Sequence, residues 1–260
     1  MKAIILAAGS GTRLGKYTEN LPKCMLEFKG KSLIERAVET LHDCGINDVT
    51  IVKGYQGEKI TIPGVKYYVN EDFSNTNMVE TLVKAEAELV GETLVLYADI
   101  IFEKSVLLKA IESKVDVGVT VDTDYWDYWK ARLDEPEKDT ESLVIDGDKI
   151  VELGDTKCGL EKAKVRYVGI LKFSAKGVES LKNVYHKNRA LYFESDEKWL
   201  NSKCFKKAYM TCMLQALINE GNRVEPIHIS HGWMEFDTTF DLERANEWDK
   251  NGTLKRFINI

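Results

Sequence analysis

Close cysteine pairs are missing from this sequence. The five cysteines, Cys24, Cys44, Cys158, Cys204 and Cys212, are odd in number and widely scattered, so nothing nucleates a zinc site. They read as reduced thiols, with Cys44 and Cys212 filling core space, and no histidine pattern supports a nucleophilic role. Long apolar runs are missing too: none approaches a membrane span, and the amino terminus enters a strand at once in place of a charged, cleavable leader. A cytoplasmic protein with no membrane partner is expected. Positive charge is scarce, with 36 Lys and Arg against 42 Asp and Glu and a formal net charge of -6, which argues against wrapping nucleic acid. There is no internal repeat, no low-complexity stretch and no linker. The 260 residues, 44% hydrophobic, are therefore expected to form one domain, 1–260, around a full core.

Two common phosphate-binding signatures are absent. G-x-x-x-x-G-K-[ST] fails because Gly9 leads to Arg13 with no Gly-Lys-Ser/Thr behind it. G-x-G-x-x-G fails because Leu14 stands at the third glycine position, with Gly15 one residue late. What is present is an apolar strand, Ala3 to Leu6, running into Ala7, Ala8, Gly9, Ser10 and Gly11. Small side chains let backbone N–H groups approach an anion, and glycine supplies the dihedrals of a tight turn. Arg13 adds a permanently charged fork matched to phosphate oxygens.

Strands alternate with helices along the first hundred residues as β-α-β-α-β. Ser32 and Glu35 form a capping box ahead of a stripe at Ile34, Ala37, Val38 and Leu41, and Gly45 ends that helix. Asp48 to Lys53 is a second strand, Asn77 to Leu89 a second helix, and Thr93 to Ala98 a third strand. Further on, Asp116 to Asp122 and Val165 to Phe173 read as strands, Ser142 to Leu153 as a hairpin turning at Gly147-Asp148, and Ser174 to Tyr185 and Tyr209 to Asn219 as helices. In such folds ligands sit beyond the carboxyl ends of the strands, where the loop after Leu6, Gly54-Tyr55 and Asp99 all fall.

An acid directly after a buried strand is costly unless solvated or bound to a cation, so Asp99 is a candidate magnesium ligand. In Gly232 to Asp237 the residues alternate, placing Glu235 and Asp237 on one side and Met234 and Phe236 on the other. Asp237, helped by Glu235, would complete a metal site with Asp99; a solvent-facing sheet edge is the alternative. For Asp241, at a helix start, the helix dipole is explanation enough.

Leu6 to Leu14 (LAAGSGTRL) followed by Pro22-Lys23 resembles the nucleotidyltransferases that activate phosphorylated small molecules. Pro22 to Glu27, Asn77 to Thr81, Tyr97 to Ile100 and Trp233 to Asp237 are similar to the cytidylyltransferases related to phosphocholine cytidylyltransferase, over essentially the whole chain. The blocks Trp126 to Leu133 and Tyr209 to Thr211 look most like the phosphoglutamine-type enzymes that serve capsule modification.

The resemblance implies a three-layer α/β/α fold, a doubly wound and mostly parallel sheet with a small β-rich, aromatic elaboration on the acceptor side. It divides the domain into a nucleotide-binding half, 1–115, and an acceptor-binding half, 116–260. It implies CTP and a small phosphorylated or phosphonate acceptor as partners, and Mg²⁺ as cofactor. Arg13, Lys23, Asp99 and Asp237 would be catalytic, with Asp99, Asp237 and Glu235 holding the metal. Leu6, Ala7, Ala8, Gly9, Ser10, Gly11, Thr12, Gly54, Tyr55, Asn77 and Ala98 would surround the nucleotide together with Arg13 and Lys23. Glu27, Ala98 before Asp99 and the lack of E-K-P at Glu152-Leu153-Gly154 depart from hexose-phosphate relatives and disfavour a sugar acceptor.

Around the acceptor, Trp126, Trp129 and Tyr167, with Tyr125 and Tyr128, could wall an ammonium at about 0.5–2 kcal/mol per contact. Arg132 and Arg166 could hold a carboxylate instead. A satellite core or a subunit interface, and with it a homodimer, is the other reading of these aromatics. A metal-dependent glycosyltransferase and a non-catalytic nucleotide-binding module are the competing classes. Asp99-Ile100-Ile101 lacks the spaced aspartate pair usual in the first, and the four functional residues together argue against the second.

Overall fold

Alternate residues of the first strand, β1 (Lys2–Ala7), enter two different cores: Ala3, Ile5 and Ala7 pack on one side and Ile4 and Leu6 on the other. A strand apolar on both faces needs helices above and below it, which is why this segment is a continuous apolar run. The computed structural model describes Met1–Ile260. Its other strands are β2 (Glu27–Phe28), β3 (Lys31–Ser32), β4 (Val49–Lys53), β5 (Lys66–Val69), β6 (Thr93–Tyr97), β7 (Ile100–Phe102), β8 (Val117–Asp122), β9 (Leu143–Asp146), β10 (Lys149–Leu153), β11 (Arg166–Phe173), β12 (Glu225–Ile229) and β13 (Trp233–Glu235). The helices are α1 (Leu33–Asp43), α2 (Met78–Lys84), α3 (Lys104–Glu112), α4 (Tyr125–Arg132), α5 (Ala175–Tyr192), α6 (Met210–Asn219) and α7 (Thr239–Asn251).

Seven strands form the central sheet in the order β12-β8-β11-β6-β1-β4-β5. All neighbours are parallel except β11, which runs antiparallel between β6 and β8. Strands from both halves of the chain thus share one sheet. Helices α1, α3, α4 and α7 pack on one face and α2, α5 and α6 on the other, giving the expected three layers. No helix is long and apolar enough to cross a membrane.

The Ser32–Glu35 capping box forms at α1, and Gly45 ends that helix with φ 82°. Two boundaries and one additional strand differ from the sequence reading. The helix expected over Asn77 to Leu89 stops at Lys84 and tightens into a 3₁₀ turn, which lets Glu88 reach Lys2 and Lys66 at 3.0 and 2.9 Å. Helix α5 runs on to Tyr192. The edge strand β5, Lys-Tyr-Tyr-Val, carries no apolar run because it is covered only in part. All five cysteines are free, and burial pushes the Cys24 thiol up to about 12, consistent with an inert side chain.

Candidate active site

The carboxyl end of the sheet gathers side chains that lie far apart in the chain. Strand β6 ends at Tyr97, and Asp99 follows after Ala98. Strand β7 then pairs antiparallel with β13, and the Phe236 N–H donates to the Asp99 carbonyl at 3.0 Å, so Asp237 emerges beside Asp99. From the other side the glycine loop after β1 brackets Lys23. Gly11 has φ 64°, and a Cβ there would stand 2.8 Å from the Lys23 Cβ, so only glycine lets the loop lie this close.

Lys23 Nζ donates to Asp99 at 2.6 Å and to Asp237 at 2.5 Å. Burial works against the ammonium, but the two carboxylates outweigh it and raise its pKa well above the usual lysine range. Burial likewise opposes charge on Asp237, yet Lys23, Arg13 and Arg132 hold its carboxyl well below the ordinary range. Arg13 is 69% exposed and reaches Asp237 at 3.3 Å, so its guanidinium can swing toward a ligand at little cost.

Behind this pair lies a buried ion network. Arg132 is 3% exposed and meets Asp241 through two nitrogens at 2.7 and 3.0 Å, Glu235 in a very short contact, and Asp237 at 3.7 Å. Asp241 also accepts from the Asp237 N–H at 2.8 Å and completes a capping box with Thr238. Glu235 stands between Arg132 and Arg166, the latter at 4.0 Å. Burial raises its carboxyl, Asp237 adds to that, and the two arginines oppose it.

Two connected spaces open beside Lys23. The smaller, about 120 Å³, is lined by Leu6, Ala7, Ala8, Gly9, Asn77, Ala98 and Asp99, with Phe73, Thr76, Met78, Thr81 and Tyr97. The larger, about 610 Å³, takes in Gly11, Thr12, Arg13, Arg166, Tyr167, Glu235 and Asp237, and adds Glu141, Asn201, Tyr209 and Thr211. Most of the residues singled out from the sequence therefore line one continuous cleft.

Eight do not. Ser10, Gly54, Tyr55, Tyr125, Trp126, Tyr128, Trp129 and Arg132 line neither space. Gly54 floors the loop: a Cβ there would lie 2.7 Å from the Ala8 carbonyl, and the Tyr55 N–H donates to that carbonyl at 3.2 Å. Trp129 is fully buried, with its indole N–H on the Asp139 carbonyl at 2.8 Å and its ring against Tyr128 and Trp233. Trp126 packs against the same core. The physical reason is that α4 lays its aromatic face under β13, so the cluster props up the strand that carries Glu235 and leads to Asp237. Arg132 is spent on acids within the protein. Glu141 was missed, an isolated acid just ahead of β9 with no local spacing to mark it, and Thr211 on α6 was noted only as part of a resembling block, with no site role.

No group of three His, Cys, Asp or Glu side chains forms a closed metal site. Asp99 and Asp237 nonetheless converge on one cation, the Lys23 ammonium. Two hard oxygen donors facing an open cleft suit Mg²⁺, which keeps water and takes phosphate oxygens to complete its shell. Glu235, expected to help them, is paired with Arg132 and lies 4.0 Å from Arg166.

The chain matches the model of the MobA-like NTP transferase domain over residues 3–129. It is similar to the CTP:phosphoglutamine cytidylyltransferase of Campylobacter jejuni subsp. jejuni serotype O:2, with 32% identity over 255 residues, covering 94% of this chain and 98% of that one. It is 40% identical over 99 residues to the choline-phosphate cytidylyltransferase of Streptococcus pneumoniae, covering 36% of this chain and 43% of that one. Among solved structures it resembles the CTP:phosphocholine cytidylyltransferase from Streptococcus pneumoniae, with TM-score 0.73 and 24% identity over 95% of this chain and 97% of that one. It also resembles the inositol-1-phosphate CTP transferase from T. maritima, with TM-score 0.72 and 19% identity over 100% and 98%. At these identities the structural likeness speaks for the fold.

Proposed function

This chain belongs to the nucleotidyltransferases with a MobA-like NTP transferase domain, and from that membership we propose that it joins CTP to a small phosphorylated or phosphonate acceptor. The observation that carries the reading is the convergence of Lys23, Asp99 and Asp237 beside a glycine loop at the carboxyl end of a parallel sheet. An acceptor oxygen attacks the α-phosphorus in line, the new O–P bond forms, the bond to the β-phosphate oxygen breaks, and pyrophosphate leaves. The nucleophile is already anionic at neutral pH, so no general base is required.

The barrier is repulsion between two polyanions, and cations aimed at the phosphates lower it. Lys23 and Arg13 supply two such cations from opposite sides of the loop. Backbone N–H groups of Ala8 to Gly11 orient the triphosphate, and the space lined by Ala7 and Asn77 receives the nucleoside. Mg²⁺ held by Asp99 and Asp237 would neutralise phosphate charge when bound. Both acceptors named for the relatives, a phosphoglutamine and a choline phosphate, fit this chemistry. The phosphoglutamine type is favoured by identity over nearly the full chain, and with it a role in capsule or other cell-surface modification.

Pyrophosphate release is measured with each of the four nucleoside triphosphates against phosphorylated amines, amino acids, polyols and hexoses. CTP with a phosphorylated amine or amino acid is the expected productive pair. UTP or GTP with a hexose phosphate would replace this reading by a sugar nucleotidyltransferase, and silence with every pair would remove the transferase assignment.

A further inference from the structure

The larger space beside Lys23 contains a carboxylate that no cation contacts. Glu141, partly buried just ahead of β9, accepts a hydrogen bond from the Thr211 hydroxyl at 3.2 Å. That hydroxyl is its one hydrogen-bond partner, and no ion pair reaches it. The other acids of the cleft are accounted for: Lys23 joins Asp99 to Asp237, Arg132 and Arg166 flank Glu235, and Asp139 is exposed. Burial pushes the Glu141 carboxyl above its ordinary range, with the charge of Arg166 and the Thr211 hydroxyl acting the other way. Shielding a carboxylate from water with no cation in contact disfavours its charged form, and Arg166, beyond ion-pair distance, offsets this only in part.

A second group in the same space is also unsatisfied. The Tyr167 phenol oxygen is buried with no partner in hydrogen-bond geometry. Its ring stands edge-on to Tyr97, 5.5 Å between centroids, and Tyr97 lines both spaces beside Lys23. The cleft therefore has cations at Arg13, Lys23 and Arg166 and one carboxylate, Glu141, that no cation contacts.

We propose that Glu141 is a specificity-determining residue that receives an ammonium group of the acceptor, with the hydroxyls of Thr211 and Tyr167 beside it. The assignment rests on reading this cleft as the acceptor site of a nucleotidyltransferase. It narrows the acceptor class to phosphates or phosphonates that also carry an amine, against polyol and sugar phosphates. Neutral hydroxyls would supply hydrogen bonds but leave Glu141 without a contacting cation, whereas an ammonium supplies both.

The test is equilibrium binding of two acceptors of the same shape, phosphoethanolamine and n-propyl phosphate, in which a methyl group replaces the ammonium. Calorimetry is run on the full chain and on its Glu141→Gln and Glu141→Asp variants. The unmodified protein should prefer phosphoethanolamine by about tenfold or more, as a shielded charge pair gives. Glu141→Gln should bring the ratio close to one, and Glu141→Asp should keep a preference for the amine. Equal binding by the unmodified protein, or an undiminished ratio in Glu141→Gln, would overturn the proposal. CTP-dependent pyrophosphate release is read in parallel with the same acceptors. Its absence counts against the transferase reading alone, because the binding ratio still decides the role of Glu141.

Discussion

Arg132 connects the stability of this protein to its candidate chemistry. Its guanidinium joins three acids, and one of these, Asp241, also accepts from the Asp237 N–H at 2.8 Å. Removing one partner of a buried ion pair leaves uncompensated charge, so Arg132→Met is expected to cost about 3–5 kcal/mol in urea unfolding. The sign of the pH dependence follows from the carboxyls. Asp237 and Asp241 are both held below the ordinary aspartate value of 3.8: burial opposes this, and Lys23 for the first and Arg132 for the second outweigh it. Their contribution is complete above that unfolded-state value and is lost as pH falls through the lower folded-state values. Unfolding free energy measured between pH 5 and pH 2, about one and two units either side of that value, should drop steeply toward acid. Flat stability over that range would contradict the network. Asp241 illustrates what sequence reading misses here. As a helix-start acid it needs no other explanation, and its bidentate partner lies far away in the chain.

At the level of elements, the loop after β1 depends on its neighbour after β4. Gly54 touches the Ala8 backbone so closely that a Cβ would lie 2.7 Å from the carbonyl oxygen and 2.9 Å from the Cα. Backbone cannot yield as a flexible side chain does, so Gly54→Ala should push the loop toward the cleft. We expect about 1–3 kcal/mol of destabilisation and a loss of up to about a hundredfold in kcat/KM with CTP, measured by unfolding and by pyrophosphate release. Wild-type kinetics in this variant would show that the loop tolerates displacement. The strand-loop-helix grammar of this region was legible in the sequence: β1 is an apolar run, Ser32 caps α1, and Gly45 ends it. Helix α4 was legible only as four aromatics in search of a surface. Its fully buried Trp129 and Tyr128 turned out to face the protein, because β13 and α7 needed a floor.

For the whole molecule, the cleft joins surfaces from the first and second halves of the chain, so a ligand that fills it should stabilise the entire fold. At about a hundred times its dissociation constant, CTP with Mg²⁺ should add about 2.7 kcal/mol, which corresponds to roughly 5–10 °C in melting temperature for a domain of this size. A thermal melt with and without EDTA checks this. The shift should shrink on chelation, and a shift indifferent to EDTA would remove Asp99 and Asp237 from metal binding. The sequence by itself determined the alternation of strands and helices, the phosphate-suited loop and the strand-end acids, because those depend on periodicity and on neighbours along the chain. Only the tertiary structure decided that Lys23 meets Asp99 and Asp237, that Arg132 and Trp129 belong to the interior, and that Glu141 faces the cleft unpaired. Charge pairing and burial are set by distance in space, and the sheet order brings together residues that no local spacing connects.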